Sequence, residues 1–168
     1  MYFKNFDFQN ILKDINRTFI SELSELLDYL EPPLIDKEKL EIICTKENDR
    51  EYVKVNIPHK VKRKFDLSIN FDGIESTVYL ADACFHFLEY SLEGEMINDT
   101  VNIVAEIMQN TIEAHTYYKG KKVVKIKLYF VNENGEKELF QCSFYHIISL
   151  LNPFQKLHEE IEIGSFSH

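Results

Sequence analysis

Between Phe65 and Tyr118 this chain has no lysine and no arginine. Glycine is also scarce, at five in 168 residues, and none forms a phosphate-cradling loop or a dinucleotide fingerprint. Cys44, Cys84 and Cys142 lie far apart in apolar runs. No CxxC or CxxxC spacing occurs, which argues against a zinc cradle or a redox motif and reads as thiols packed like small hydrophobes. No run of about 18 apolar residues is present, so no membrane span is expected. The opening MYFKNFDFQN lacks the apolar core and small-residue cleavage site of a secretory leader, and the expectation is a cytoplasmic protein.

What is present is acid. The formal charge is −9, which disfavours a phosphate backbone as partner, so no nucleic acid is expected. Ten acids fall in the base-free stretch: Asp66, Asp72, Glu75, Asp82, Glu89, Glu93, Glu95, Asp99, Glu106 and Glu113. Basic clusters bracket it, with Lys60, Lys62, Arg63 and Lys64 before and Lys119, Lys121, Lys122, Lys125 and Lys127 after. Either these charges pair across the fold, or they form a negative field that steers a basic partner.

At 168 residues and 45% hydrophobic, the chain reads as one domain able to build a core without staples. Residues 7–31 carry Phe8, Ile11, Leu12, Ile15, Phe19, Leu23, Leu26, Leu27 and Leu30 at helical spacing. Asp7 can cap this helix and Pro32-Pro33 stops it. The stripe is either core or a dimer seam. Residues 40–45 and 51–57 read as short strands. A hairpin follows over 64–70 and 74–80, turned by Asp72-Gly73. A second helix is expected over 98–113, capped by Asn98 or Asp99. Strands follow at Ala114–Tyr118, at 122–131 and, after Asn134-Gly135, at 137–146. Residues 147–168 suggest a short helix near Phe154–Glu159 and a frayed tail. The expected fold is α+β, in the order α-β-β-β-β-α-β-β-β, with both helices on a mostly antiparallel, meandering sheet.

The stretch LADACFHFLEYSLEGE, residues 80–95, concentrates polar chemistry among aromatics. As a helix it would align Asp82, His86 and Glu89. As a strand it would align Asp82, Cys84 and His86, and Glu89 would leave the set. Neither geometry supplies three committed metal ligands, so no cofactor is expected. A histidine beside carboxylates could serve as a general base, but no nucleophile or substrate-fixing cation lies near, so no catalytic residue is assigned. His86 also fits a hydrogen-bonded core position. The third reading is a docking surface built from Asp82, Glu89, Glu93, Glu95 and Asp99, with Tyr90 and Met96 as apolar anchors. A rival is a small enzyme or ligand-binding domain with Tyr79, His86, Tyr117 and Tyr129 converging between sheet and helices.

The run FDGIESTVYLADACFHFLEY, then VNIVAEIMQNTIE, then YYKGKKVVKIKLYF resembles small bacterial immunity proteins of polymorphic or contact-dependent toxin systems. The shared texture is a strand, an aromatic-His-Phe, a helix, a YxxG and a strand, over about residues 64–130. The resemblance implies a non-enzymatic inhibitor that binds one cognate toxin with a basic surface, such as a nuclease, and covers its active site.

Overall fold

The computed structural model describes residue 3 and residues 13–88, 94–145 and 156–167. Helix α1 spans Asp14–Leu30. Strands β1 to β5 follow at Glu41–Glu47, Arg50–Ile57, Leu67–Phe71, Glu75–Leu80 and Ala83–Leu88. Helix α2 is Glu95–Gln109, and β6 to β9 are Thr111–Lys119, Lys122–Val131, Lys137–Phe144 and Leu157–Ser165. The fold is α+β, and all its named strand pairs are antiparallel. The expected succession of helix, strands, helix, strands holds, and each run of strands has one more member than expected.

The strands divide between two sheets, ordered β1-β2-β3-β4-β5 and β8-β7-β6-β9. The first is a meander, with short turns between β1 and β2, β3 and β4, and β4 and β5, and a longer connection over residues 58–66 between β2 and β3. Asp72 makes the β3–β4 turn by accepting the amides of Ile74 and Glu75 at 2.9 and 2.8 Å. Gly73 follows at φ +84°, where a Cβ would stand 3.0 Å from Ile15 on α1.

The stripe of α1 is core. Phe19, Ile20, Leu23 and Leu27 are fully buried, and Phe19 stacks on Phe71 of β3 at 4.3 Å between centroids. That packing removes the reading of residues 14–30 as a dimer seam; residues 7–12 lie outside the described set. Glu31, in the left-handed region at φ 44°, closes the helix with its amide on the Leu27 carbonyl, just before the prolines.

Four boundaries differ from expectation. Helix α1 starts at Asp14 behind an extended Lys13, not from an Asp7 cap. Helix α2 starts at Glu95, behind Gly94 rather than an Asn98 or Asp99 cap. It ends at Gln109, because Asn110 turns extended and Ile112, Ala114 and Thr116 then alternate into the core as β6. The tail expected to fray is β9, paired along its whole length with β6, and residues 157–159 are strand rather than helix. Residues 146–155 lie outside the described set.

Two seams join the sheets around one core. At the first, Phe140 of β8 stacks on Phe130 at 3.7 Å and on Phe85 of β5 at 5.6 Å. There Gln141 donates to the Cys84 carbonyl and the Tyr145 hydroxyl to that of Asp82. At the second, the connection between β2 and β3 docks on the end of β9. His59 Nε2 donates to the Ser165 carbonyl at 2.8 Å, and its Nδ1 accepts the amides of Val61 and Lys62. The Phe65 ring lies so close to Gly164 that a Cβ there would come within 2.6 Å of it.

Among the described residues, no helix is long and apolar enough to cross a membrane.

Candidate binding surface

Helix α2 contains no basic residue. Its solvent side carries Glu95, Asp99 and Glu106, which at 100° per residue fall on one stripe with Asn102 between them. All three carboxylates are exposed, and none forms an ion pair among the described residues. Glu95 sits in the first turn, where the helix dipole favours an anion.

The stripe runs into a groove of about 580 Å³ between the end of α2 and the β7–β8 hairpin. Glu106, Glu136 and Glu138 supply its acid, and Phe130, Leu139 and Phe140 its apolar lining. Lys137 also lines it, but its ammonium bonds Glu113 at 2.5 Å. An acid-rimmed slot with aromatic walls suits the guanidinium or ammonium of a partner, which gains charge pairing and ring contact together.

The expected docking residues distribute unevenly. Glu95 and Asp99 belong to this stripe. Asp82 is exposed in the β4–β5 turn, with φ 65°, at the end of β5 opposite its link to α2. Glu89, Glu93 and Tyr90 lie outside the described residues. Met96 is no anchor: it is fully buried, because its side of α2 faces the core. Glu136 and Glu138 went unnoticed because they lie outside the base-free block; Glu106 was visible as an outward helix position.

The flanking lysines do not neutralise the stripe. Lys64 pairs with Glu162, Lys60 and Lys62 donate to the carbonyls of Pro33 and Ile163, and Lys125 lies 4.8 Å from the Phe144 ring centroid. Within the block, Asp66, Asp72, Glu75 and Glu113 are engaged by the fold.

The most tightly knit polar cluster lies elsewhere, on the outer face of the β6–β9 sheet. His115 sits between two carboxylates, with Nε2 2.5 Å from Glu113 and Nδ1 2.7 Å from Glu159. Both ring nitrogens are thus turned towards carboxylates, which only accept. Burial pushes the Glu113 carboxyl up, but hydrogen bonds from Lys137 and His115 outweigh it and leave it below the ordinary value. Bonds from Tyr117 and His115 hold Glu159 low as well, and the Tyr117 phenol is pushed up to about 12 by its bond to Glu159 and by burial. Every charge in this cluster is compensated in place, which marks it as structural.

The expected pocket does not assemble. Tyr79 and His86 are exposed on the outer face of the five-stranded sheet, beside a shallow groove of about 470 Å³. Tyr117 and Tyr129 are on the other sheet, around His115. His86 is not a core histidine: it bonds Glu75 at 2.9 Å and Thr77 at 3.1 Å at the surface. Residues 83–88 are strand, so Phe85 and Phe87 face the core while Cys84 and His86 face out. The three cysteines are free and half-buried rather than fully buried. Among the described residues no three His, Cys, Asp or Glu side chains are placed to hold a metal ion.

Comparison with family models, with curated proteins and with solved structures finds no match.

Proposed function

We propose that this chain is a non-enzymatic acidic binding protein that neutralises a basic protein partner, as an immunity protein neutralises its cognate toxin. The observation that carries this reading is the α2 stripe with its groove. Among the described residues, Glu95, Asp99, Glu106 and Glu138 are exposed without ion pairs, while Lys60, Lys62, Lys64 and Lys137 bond elsewhere. Unpaired acids on one rigid helix face raise the encounter rate with a basic surface and suppress wrong partners. The groove adds apolar area beside the acids, which a tight complex needs at its centre. The resemblance over residues 64–130 supports the same class of partner, a toxin with a basic cleft.

The test is the affinity for that cognate domain of two charge-neutralised sets. One set replaces Glu95, Asp99, Glu106 and Glu138 by their amides. The other replaces Asp82, Glu89 and Glu93. The first set weakens binding by at least about tenfold and flattens its salt dependence. The second set, if the 89–93 connection also touches the partner, adds to the loss. Unchanged affinity in the first set discards this surface.

A further inference from the structure

We infer that this chain pairs with a second copy of itself through the outer edge of β9. The strand is the outermost member of its sheet, and its far end is already capped. Lys62 takes the Ile163 carbonyl and His59 the Ser165 carbonyl, both on the side away from β6. Alternation along a strand then turns the amides and carbonyls of Leu157, Glu159 and Ile161 to the same open side. Those three residues have no described neighbour across the edge. Leu157, Ile161 and Ile163 are each about half exposed, at 52%, 53% and 49%, and Val61 beside them is 73% exposed. A long edge with exposed apolar side chains is a template for another strand.

The charge pattern selects the occupant. A two-fold axis requires antiparallel pairing, and the pleat requires opposed residues to share a face. With the axis at Glu159, Leu157 faces Ile161 of the second copy, His158 faces Glu160, and Lys156 faces Glu162. Each of these contacts occurs twice. The like pair at the axis, Glu159 against Glu159, is compensated within each copy by His115 and Tyr117. Moving the axis to Glu160 opposes two glutamates and needs the Ile163 carbonyl that Lys62 occupies. The sequence of β9 is therefore self-complementary in this register. This inference uses none of the acidic stripe, so either can fail alone.

Sedimentation velocity on the full chain tests it. The 19.9 kDa chain sediments as a dimer at micromolar concentration, and Ile161→Lys returns it to monomer with an unchanged circular dichroism spectrum. The register is read by a charge swap. His158→Glu and Glu160→Lys each weaken dimerisation by about tenfold, since each spoils two contacts, and the double variant recovers most of the loss. A wild-type monomer at about 100 µM overturns the proposal. So does a dimer that Ile161→Lys leaves intact, or one in which the double variant is weaker than either single one.

Discussion

The same carboxylate group lives in two opposite settings in this protein. On the β6–β9 sheet, Glu113 and Glu159 are each held by two or more donors, and Glu113 is almost wholly buried. On α2, Glu95, Asp99 and Glu106 stand in solvent and form no ion pair among the described residues. The difference separates charge used to specify the fold from charge left over for another molecule. A buried carboxylate must be paired or it would destabilise the fold; an exposed one costs little and is free to act at a distance.

Breaking the paired setting has the largest expected effect. Glu113→Ala removes the buried acceptor that His115 and the half-exposed Lys137 share and destabilises by about 3 kcal/mol. Glu113→Gln, which keeps an acceptor, loses less. Urea unfolding of the three proteins checks the order. Gly164→Ala comes next. Its Cβ would press on the Phe65 ring and push β9 outward, carrying Glu159 away from His115, at a cost of about 1–3 kcal/mol.

The pH dependence sharpens the contrast. Glu113 and Glu159 have folded values below the ordinary 4.5. Each contributes stability that is present above the unfolded value and is lost as pH falls through the folded value. Urea midpoints measured downward from about pH 6 should therefore fall below the carboxylate value of 4.5, and less steeply in Glu113→Gln. At the alkaline end the raised Tyr117 phenol gives the opposite sign. Its stabilisation is full below 10 and is lost as pH rises towards about 12. Burial raises the Tyr118 and Tyr145 phenols as well, so phenolate absorbance should show several late-titrating tyrosines, of which Tyr117→Phe removes one. The smallest effect belongs to the free acids. Neutralising Asp99 and Glu106 changes stability by no more than about 0.5 kcal/mol, because no contact is lost.

Some of this was legible in the residues and some was not. Asp72-Gly73 announced the β3–β4 hairpin, and the alternating lysines of β7 marked Lys122–Val131 to the residue. Both signals are local. The end of α2 was misjudged because Ile112 satisfies a helical period as well as a strand alternation, and its tertiary place in β6 decides between them. Strand β9 was missed because Leu157, Ile161 and Ile163 are exposed, so its apolar residues do not trace a buried face. The division into two sheets depends on Phe85, Phe130 and Phe140 meeting across the chain, which no short-range pattern encodes. The acidic surface was half visible: Glu95 and Asp99 lie in the base-free block, whereas Glu136 and Glu138 join it through the fold alone.

Capture from extracts of the native host, followed by native mass spectrometry at low and high salt, bears most directly on the claim that the unpaired acids await a basic protein. The account predicts one stoichiometric partner with a basic domain, retained at low salt and released at high salt. A chain that emerges with no protein partner but with a retained small molecule would contradict it.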